Sequence, residues 1–102
     1  MFPRFITLSI FSLTSMAMAV VDVRTEAEWN TGHLEGALHI EWQDILEISS
    51  SIRKDEEIFL YCRSGNRSGK ATKILIDAGY INVKNAGSIA DASEMLGIKI
   101  ID

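Results

Sequence analysis

The run Ile58-Phe59-Leu60-Tyr61 limits what this chain can fold into more than any other segment. Four consecutive apolar residues leave no polar side for water, so the run reads as a strand covered on both faces. The residues after it are equally restrictive. Tyr61 leads into Cys62 and the loop Arg63-Ser64-Gly65-Asn66-Arg67. Ser68 then opens a helical pattern in which Ala71, Ile74, Leu75 and Ala78 share a face and Gly79 caps the C-terminus. The same alternation recurs along the chain. Val20–Val23 is a short β-branched strand, and Thr25-x-x-Glu28 has capping-box spacing for a helix from Ala27 to about Asn30, ended by Gly32. Ala37–Ile40 reads as a second strand, and Asp44–Ile48 as a helix offering Ile45, Leu46 and Ile48 to the core. Ile81–Val83 supplies another strand and Ile89–Leu96 a last helix, while Ile98–Ile101 fits a small strand or a packed end equally well. Strand and helix in turn predict an α/β fold, a small, mostly parallel sheet flanked by helices.

The first nineteen residues follow a different rule. They contain three of the four methionines, three of the four phenylalanines and the only proline, but a single charge, Arg4. A short basic start, the apolar run Phe5–Leu13 and the closing Ala17-Met18-Ala19 make the three-part layout of a secretory signal peptide. The expected division is therefore a signal peptide over residues 1–19 and one domain over residues 20–102, exported with no stable membrane association after cleavage. Ser15 and Ala17 satisfy the same small-residue rule, and cleavage after Ala19 would leave the first strand very short. A membrane anchor is the competing reading, but Phe5–Val21 is at the lower limit of a span and carries serines and threonines.

With 102 residues the chain holds one small domain. Its single cysteine excludes an intramolecular disulfide, and one cysteine with two histidines argues against a structural zinc site. The net charge of -4 becomes -5 once Arg4 is removed, which argues against nucleic-acid binding.

Chemistry is expected where the buried strand ends, because in parallel sheets ligands gather beyond the carboxyl ends of the strands. Gly65 and Asn66 permit the positive backbone dihedrals that curl a loop into a bowl. Its inward amides, reinforced by the helix N-terminus, form a nest for an anion. Cys62 at the rim would be stabilised as thiolate and act as a nucleophile. Arg63 and Arg67 could hold an anionic substrate, and Ser64 and Ser68 could donate hydroxyl hydrogen bonds. A buried strand-end cysteine is more often inert, but two arginines, a glycine and a helix start around this one favour the functional reading.

The chain resembles the single-domain rhodaneses. The matching pieces are Asp22-Val23-Arg24, Glu28-Trp29, Gly32-His33-Leu34-Glu35-Gly36-Ala37, Tyr61 through Ser68, Ala78-Gly79-Tyr80 and Val83-Lys84-Asn85-Ala86-Gly87. They run in family order over nearly all of Val20 to about Ala92, and the Cys62–Arg67 loop and the Gly32–Ala37 stretch are the diagnostic ones. Two positions depart from the pattern. No proline follows Gly36-Ala37, and Gly87-Ser88 stands where the family usually has two glycines.

The resemblance implies a rhodanese-like fold and a thiosulfate sulfurtransferase. Cys62 would take the sulfane sulfur of thiosulfate as a persulfide, with Arg63, Ser64, Gly65, Asn66, Arg67 and Ser68 binding substrate. Cyanide or a thiol would accept the sulfur, without metal or cofactor, in a protein expected to be a monomer. With no second cysteine, that acceptor must be external.

Asp22 and Arg24, at the end of the first strand, could orient a loop arginine or form a surface ion pair. His33 is read as making a structural hydrogen bond, His39 as without function, Trp29 and Trp42 as packing residues, and Asp55-Glu56-Glu57 as a solvated turn. Three competing functions are a cysteine phosphatase or arsenate reductase, a non-catalytic binding module and a persulfide carrier. The four residues between Cys62 and Arg67 are one fewer than the phosphatase loop needs, and the retained cysteine argues against the binding module.

Overall fold

The computed structural model describes residues 18–102; the expected signal segment, residues 1–19, lies outside the described residues except for Met18 and Ala19, which begin the first strand. The chain runs β1 (Met18–Asp22), α1 (Glu26–Trp29), β2 (His33–Leu34), β3 (Leu38–His39), a 3-10 helix (Trp42–Ser50), β4 (Glu57–Cys62), α2 (Asn66–Asp77), β5 (Val83–Ser88), α3 (Ile89–Leu96) and β6 (Ile100–Ile101). Four strands form one parallel sheet in the order β3-β1-β4-β5. The expected parallel α/β architecture is therefore present, with β1 and β4 at its centre. The tail resolves into β6, which pairs antiparallel with β2 in a separate two-stranded ribbon.

The apolar run of β4 divides between two cores because strand side chains alternate. Ile58, Leu60 and Cys62 join Val21, Val23, Ile45, Ile48, Ala71 and Leu75 on the face covered by α2 and the 3-10 helix. Phe59 and Tyr61 join Val20, Leu34, Ala86 and Ala92 on the α3 face. Burial on both sides is why this strand lacks a polar stripe. The alternation also aims Cys62 toward α2.

Several local expectations shift. The 3-10 helix repeats every three residues, so Ile45 and Ile48 line up inward with the partly buried Trp42, while Leu46 falls on the outer line and is exposed. The helix after the cysteine loop begins at Asn66 rather than Ser68, because Gly65 turns the chain with a φ of 97°. Among the described residues only glycines have positive φ, so Asn66 does not share that task. The last parallel strand covers Val83–Ser88 rather than Ile81–Val83. Ile81 is exposed and ends a turn, its amide bonded to the Lys54 carbonyl at 3.1 Å. A bulge between Leu60 and Tyr61 shifts the β4–β5 register, and Ala86 takes up the extra residue.

The two departures from the family pattern have local explanations. Ser88, in place of the second glycine, caps α3: the Asp91 amide donates to Ser88 Oγ at 3.0 Å and the Ser88 amide to Asp91 Oδ2 at 3.3 Å. Glu41, in the stretch where a proline is common, has a φ of -62°, the value proline would impose, so the turn forms without it.

Candidate active site

Strand β4 delivers Cys62 to the carboxyl end of the sheet, and α2 begins directly over it. That helix has no side-chain cap at its N-terminus. Its free amides find the cysteine instead. The Gly65 amide donates to Cys62 Sγ at 3.0 Å, the Ser68 amide at 3.5 Å and the Ser68 hydroxyl at 3.4 Å. The sulfur therefore occupies the position an N-capping oxygen usually fills. Burial pushes the thiol upward. The Ser68 hydroxyl and the backbone amides of Ser68, Ser64 and Gly65 outweigh it and bring the thiol down to about 7. The result is a buried sulfur that ionises near neutrality.

Asn85 on β5 fixes this arrangement from behind. Its Nδ2 donates to the Gly65 carbonyl at 3.0 Å, and its Oδ1 accepts from the Ser68 hydroxyl at 2.7 Å and from the Gly87 amide at 2.9 Å. The amide can be oriented only one way, since one end meets an N–H and the other a carbonyl. Ser68 has a single hydroxyl proton for two acceptors, Asn85 Oδ1 and Cys62 Sγ. It can turn to the sulfur when negative charge develops there.

The remaining loop residues divide by exposure. Arg63, Ser64 and Asn66 lie on the open rim, and Arg63 leaves 81% of its side chain in solvent. Arg67, in the first turn of α2, forms a two-pronged pair with Glu28: NH1 to Oε1 at 2.7 Å and NH2 to Oε2 at 2.9 Å. Arg67 holds the Glu28 carboxyl well below the ordinary carboxylate range, at about 2. Its own pKa is raised, chiefly by the same bond. Arg63 Nε lies 3.9 Å from Glu28 Oε2.

Asp22 and Arg24 pair with each other and not with a loop arginine. Neither is a surface residue, with side chains 0% and 6% exposed. Arg24 Nε and NH2 reach Asp22 at 2.9 and 2.6 Å, and NH2 also donates to the Gly32 carbonyl at 2.7 Å. This buried pair ties the end of β1 to the turn after α1 and so sets where Glu28 stands. Beside it the Leu34 amide donates to the Tyr61 hydroxyl at 3.0 Å. Burial above all raises that phenol's pKa.

His33 has the expected structural contact, Nδ1 to the Trp29 carbonyl at 3.3 Å. His39 bonds the Arg24 carbonyl through Nε2 at 2.7 Å, and the two imidazoles stack on Trp29 at 3.5 and 5.0 Å. Trp42 packs against the larger core, with Lys70 Nζ 5.0 Å from its ring. No group of three or more His, Cys, Asp or Glu among the described residues could hold a metal ion.

Glu28 and Asn85 are site residues that sequence reasoning misses. Glu28 signals a helix cap, which it also makes, and, like Asn85, a place in a family motif; neither signal points to the site. Their site partners lie 39 residues away in one case and 17 and 20 in the other.

A strand-end cysteine under a helix N-terminus, beside a parallel sheet, defines a small single-cysteine α/β domain built to hold negative charge on sulfur. The chain belongs to the rhodanese-like domain family, whose match covers residues 12–91. It is 34% identical to the thiosulfate sulfurtransferase PspE of Escherichia coli, over 80% of this chain and 82% of that protein. A sulfurtransferase of Allochromatium vinosum is 41% identical over 78% of this chain and 76% of the relative. Among solved structures, a rhodanese with anions from E. coli aligns with a TM-score of 0.69 and 32% identity, covering 74% of this chain and 91% of that one.

Proposed function

We propose that the protein transfers sulfane sulfur from thiosulfate to cyanide or a thiol through a persulfide on Cys62. The observation that carries this reading is the convergence of the Gly65 amide, the Ser68 amide and the Ser68 hydroxyl on one buried sulfur. The family membership and the relatives named as sulfurtransferases support sulfur transfer broadly.

In the first step the Cys62 thiolate attacks the outer sulfur of thiosulfate. The sulfur–sulfur bond breaks, and sulfite leaves with its electron pair. A second sulfur is now bonded to Sγ and carries the negative charge. The loop amides stabilise that charge as they stabilise the thiolate, an electrostatic role like that of an oxyanion hole. In the second step cyanide or a thiolate attacks the terminal sulfur, the persulfide bond returns its electron pair to Cys62, and thiocyanate or a new persulfide departs. Two half-reactions through one covalent intermediate give ping-pong kinetics. Arg67 and Arg63 contact the sulfonate end of the donor, with Ser64 and Asn66 at the rim. Asp22 and Arg24 act at a distance by holding the turn that follows α1.

The leader is proposed to direct export to the periplasm, with cleavage after Ala17. Met18 and Ala19 are the first residues of β1, paired with Glu57 and Ile58, and Ala19 packs on the core. Cleavage after Ala19 would remove both from a central strand. The mass of the exported protein distinguishes an N-terminus at Met18 from one at Val20.

Steady-state assays with thiosulfate, mercaptopyruvate and a persulfide donor, each with cyanide and with a dithiol, test the activity. Turnover with thiosulfate is expected, with parallel double-reciprocal lines. No turnover with any donor, or release from a phosphate ester in its place, would overturn the proposal.

A further inference from the structure

The loop arginines invite the idea of an open cationic mouth, but the larger part of that charge is already matched. Both terminal nitrogens of Arg67 are held by Glu28, and the two side chains are only 25% and 27% exposed. The carboxylate is anchored in turn: Glu28 Oε1 accepts from the Thr25 amide and the Thr25 hydroxyl, each at 3.0 Å, as part of the capping box of α1. Swinging away would cost it both bonds to Thr25. Arg63, the other loop arginine, also leans toward the same carboxylate, at 3.9 Å.

We propose that Glu28 sets the donor selectivity of the site, by closing Arg67 into an anchored ion pair that disfavours small, highly charged anions relative to donors carrying less negative charge. This rests on the sulfurtransferase reading and narrows its substrate class. An oxyanion that approaches Arg67 meets the Glu28 carboxylate at nearly the same distance, so attraction and repulsion partly cancel. The cancellation matters most for a dianion and vanishes for a neutral donor. A sulfur atom presented on a larger, less charged carrier needs no exchange of partners at Arg67. Glu28 is thus a specificity residue that acts through Arg67 and does not touch the reacting sulfur.

The test compares alkylation of Cys62 by iodoacetate, an anion, with alkylation by iodoacetamide, which is neutral. Their rate ratio cancels any change in the thiolate fraction or in general accessibility. Glu28→Gln is the informative variant, because glutamine keeps the capping box at this position. The ratio is expected to rise about fivefold in low salt and to shrink as salt is added. The rise should disappear in E28Q/R67Q, where no guanidinium is freed. In turnover, E28Q should lower KM for thiosulfate, and lower it less for methanethiosulfonate, a monoanion. A ratio unchanged or reduced in E28Q, or a gain that persists in E28Q/R67Q, would overturn the proposal. Failure of both wild type and E28Q to turn over with thiosulfate, mercaptopyruvate or a persulfide donor would instead remove the sulfurtransferase reading, while the alkylation ratio would still decide the role of Glu28.

Discussion

At Cys62 burial and hydrogen bonding act in opposite directions, and hydrogen bonding wins because the donors are fixed before any charge appears. With the thiol near about 7, alkylation by iodoacetamide should accelerate as pH rises through about 7 and level off above it. Ser68→Ala removes the side-chain hydroxyl that donates to the sulfur and should move that midpoint upward, toward the ordinary thiol range. An unmoved midpoint in that variant would show that the amides alone set the ionisation. The residues immediately around the sulfur were legible because they are consecutive in the chain: a buried run, a cysteine, a glycine and a helix start. Glu28 and Asn85 were not, since each acts through partners distant in sequence. Asp22 and Arg24 were visible as a pair near the site, but whether they were exposed depended on Gly32, His39 and Tyr61 standing beside Arg24, which no local pattern states.

Among the elements, α2 and β5 do most to shape the site, and both depend on glycine geometry. Gly65 has a φ of 97°, and a Cβ there would stand 3.4 Å from the Gly87 Cα. Gly65→Ala should therefore cost about 1–2 kcal/mol in urea unfolding and also slow Cys62 alkylation, because the Gly65 amide would turn off the sulfur. Ser88→Ala, which removes the capping oxygen of α3, should cost about 1 kcal/mol while leaving the alkylation midpoint in place. The helix Ile89–Leu96 was readable residue for residue, and α2 nearly so, because apolar spacing and a glycine stop agree there. β5 was not. As an edge strand it buries only Ala86, and its pairing is set by β4, whose bulge beside Leu60 places Asn85 and Gly87 over the loop. The 3-10 helix misled for a related reason: its period of three turned Leu46 outward where an α-helical period had it inward.

At the scale of the whole molecule, the Glu28–Arg67 ion pair joins α1 to α2, and the bond from Arg24 to the Gly32 carbonyl ties the end of β1 to the turn after α1. The Glu28–Arg67 pair also makes folding stability depend on pH. The Glu28 carboxyl is depressed to about 2 in the folded protein, so its contribution is complete above the ordinary carboxylate range and fades as pH falls toward 2. Urea midpoints should drop across that interval in the wild type and drop less in E28Q, where nothing titrates at residue 28. The parallel α/β architecture itself followed from the order of strand and helix signals. Its strand order did not, because β1 lies between β3 and β4 through crossovers that sequence order does not reveal.

Residue, element and whole molecule meet at Cys62, the proposed carrier of sulfur between donor and acceptor. The direct measurement is the intact mass of the protein after thiosulfate, followed by cyanide. The expected result is a gain of one sulfur atom, located on Cys62 by fragmentation, lost on adding cyanide with release of thiocyanate, and absent in Cys62→Ser. A thiol that alkylates readily yet gains no sulfur from thiosulfate would contradict that role.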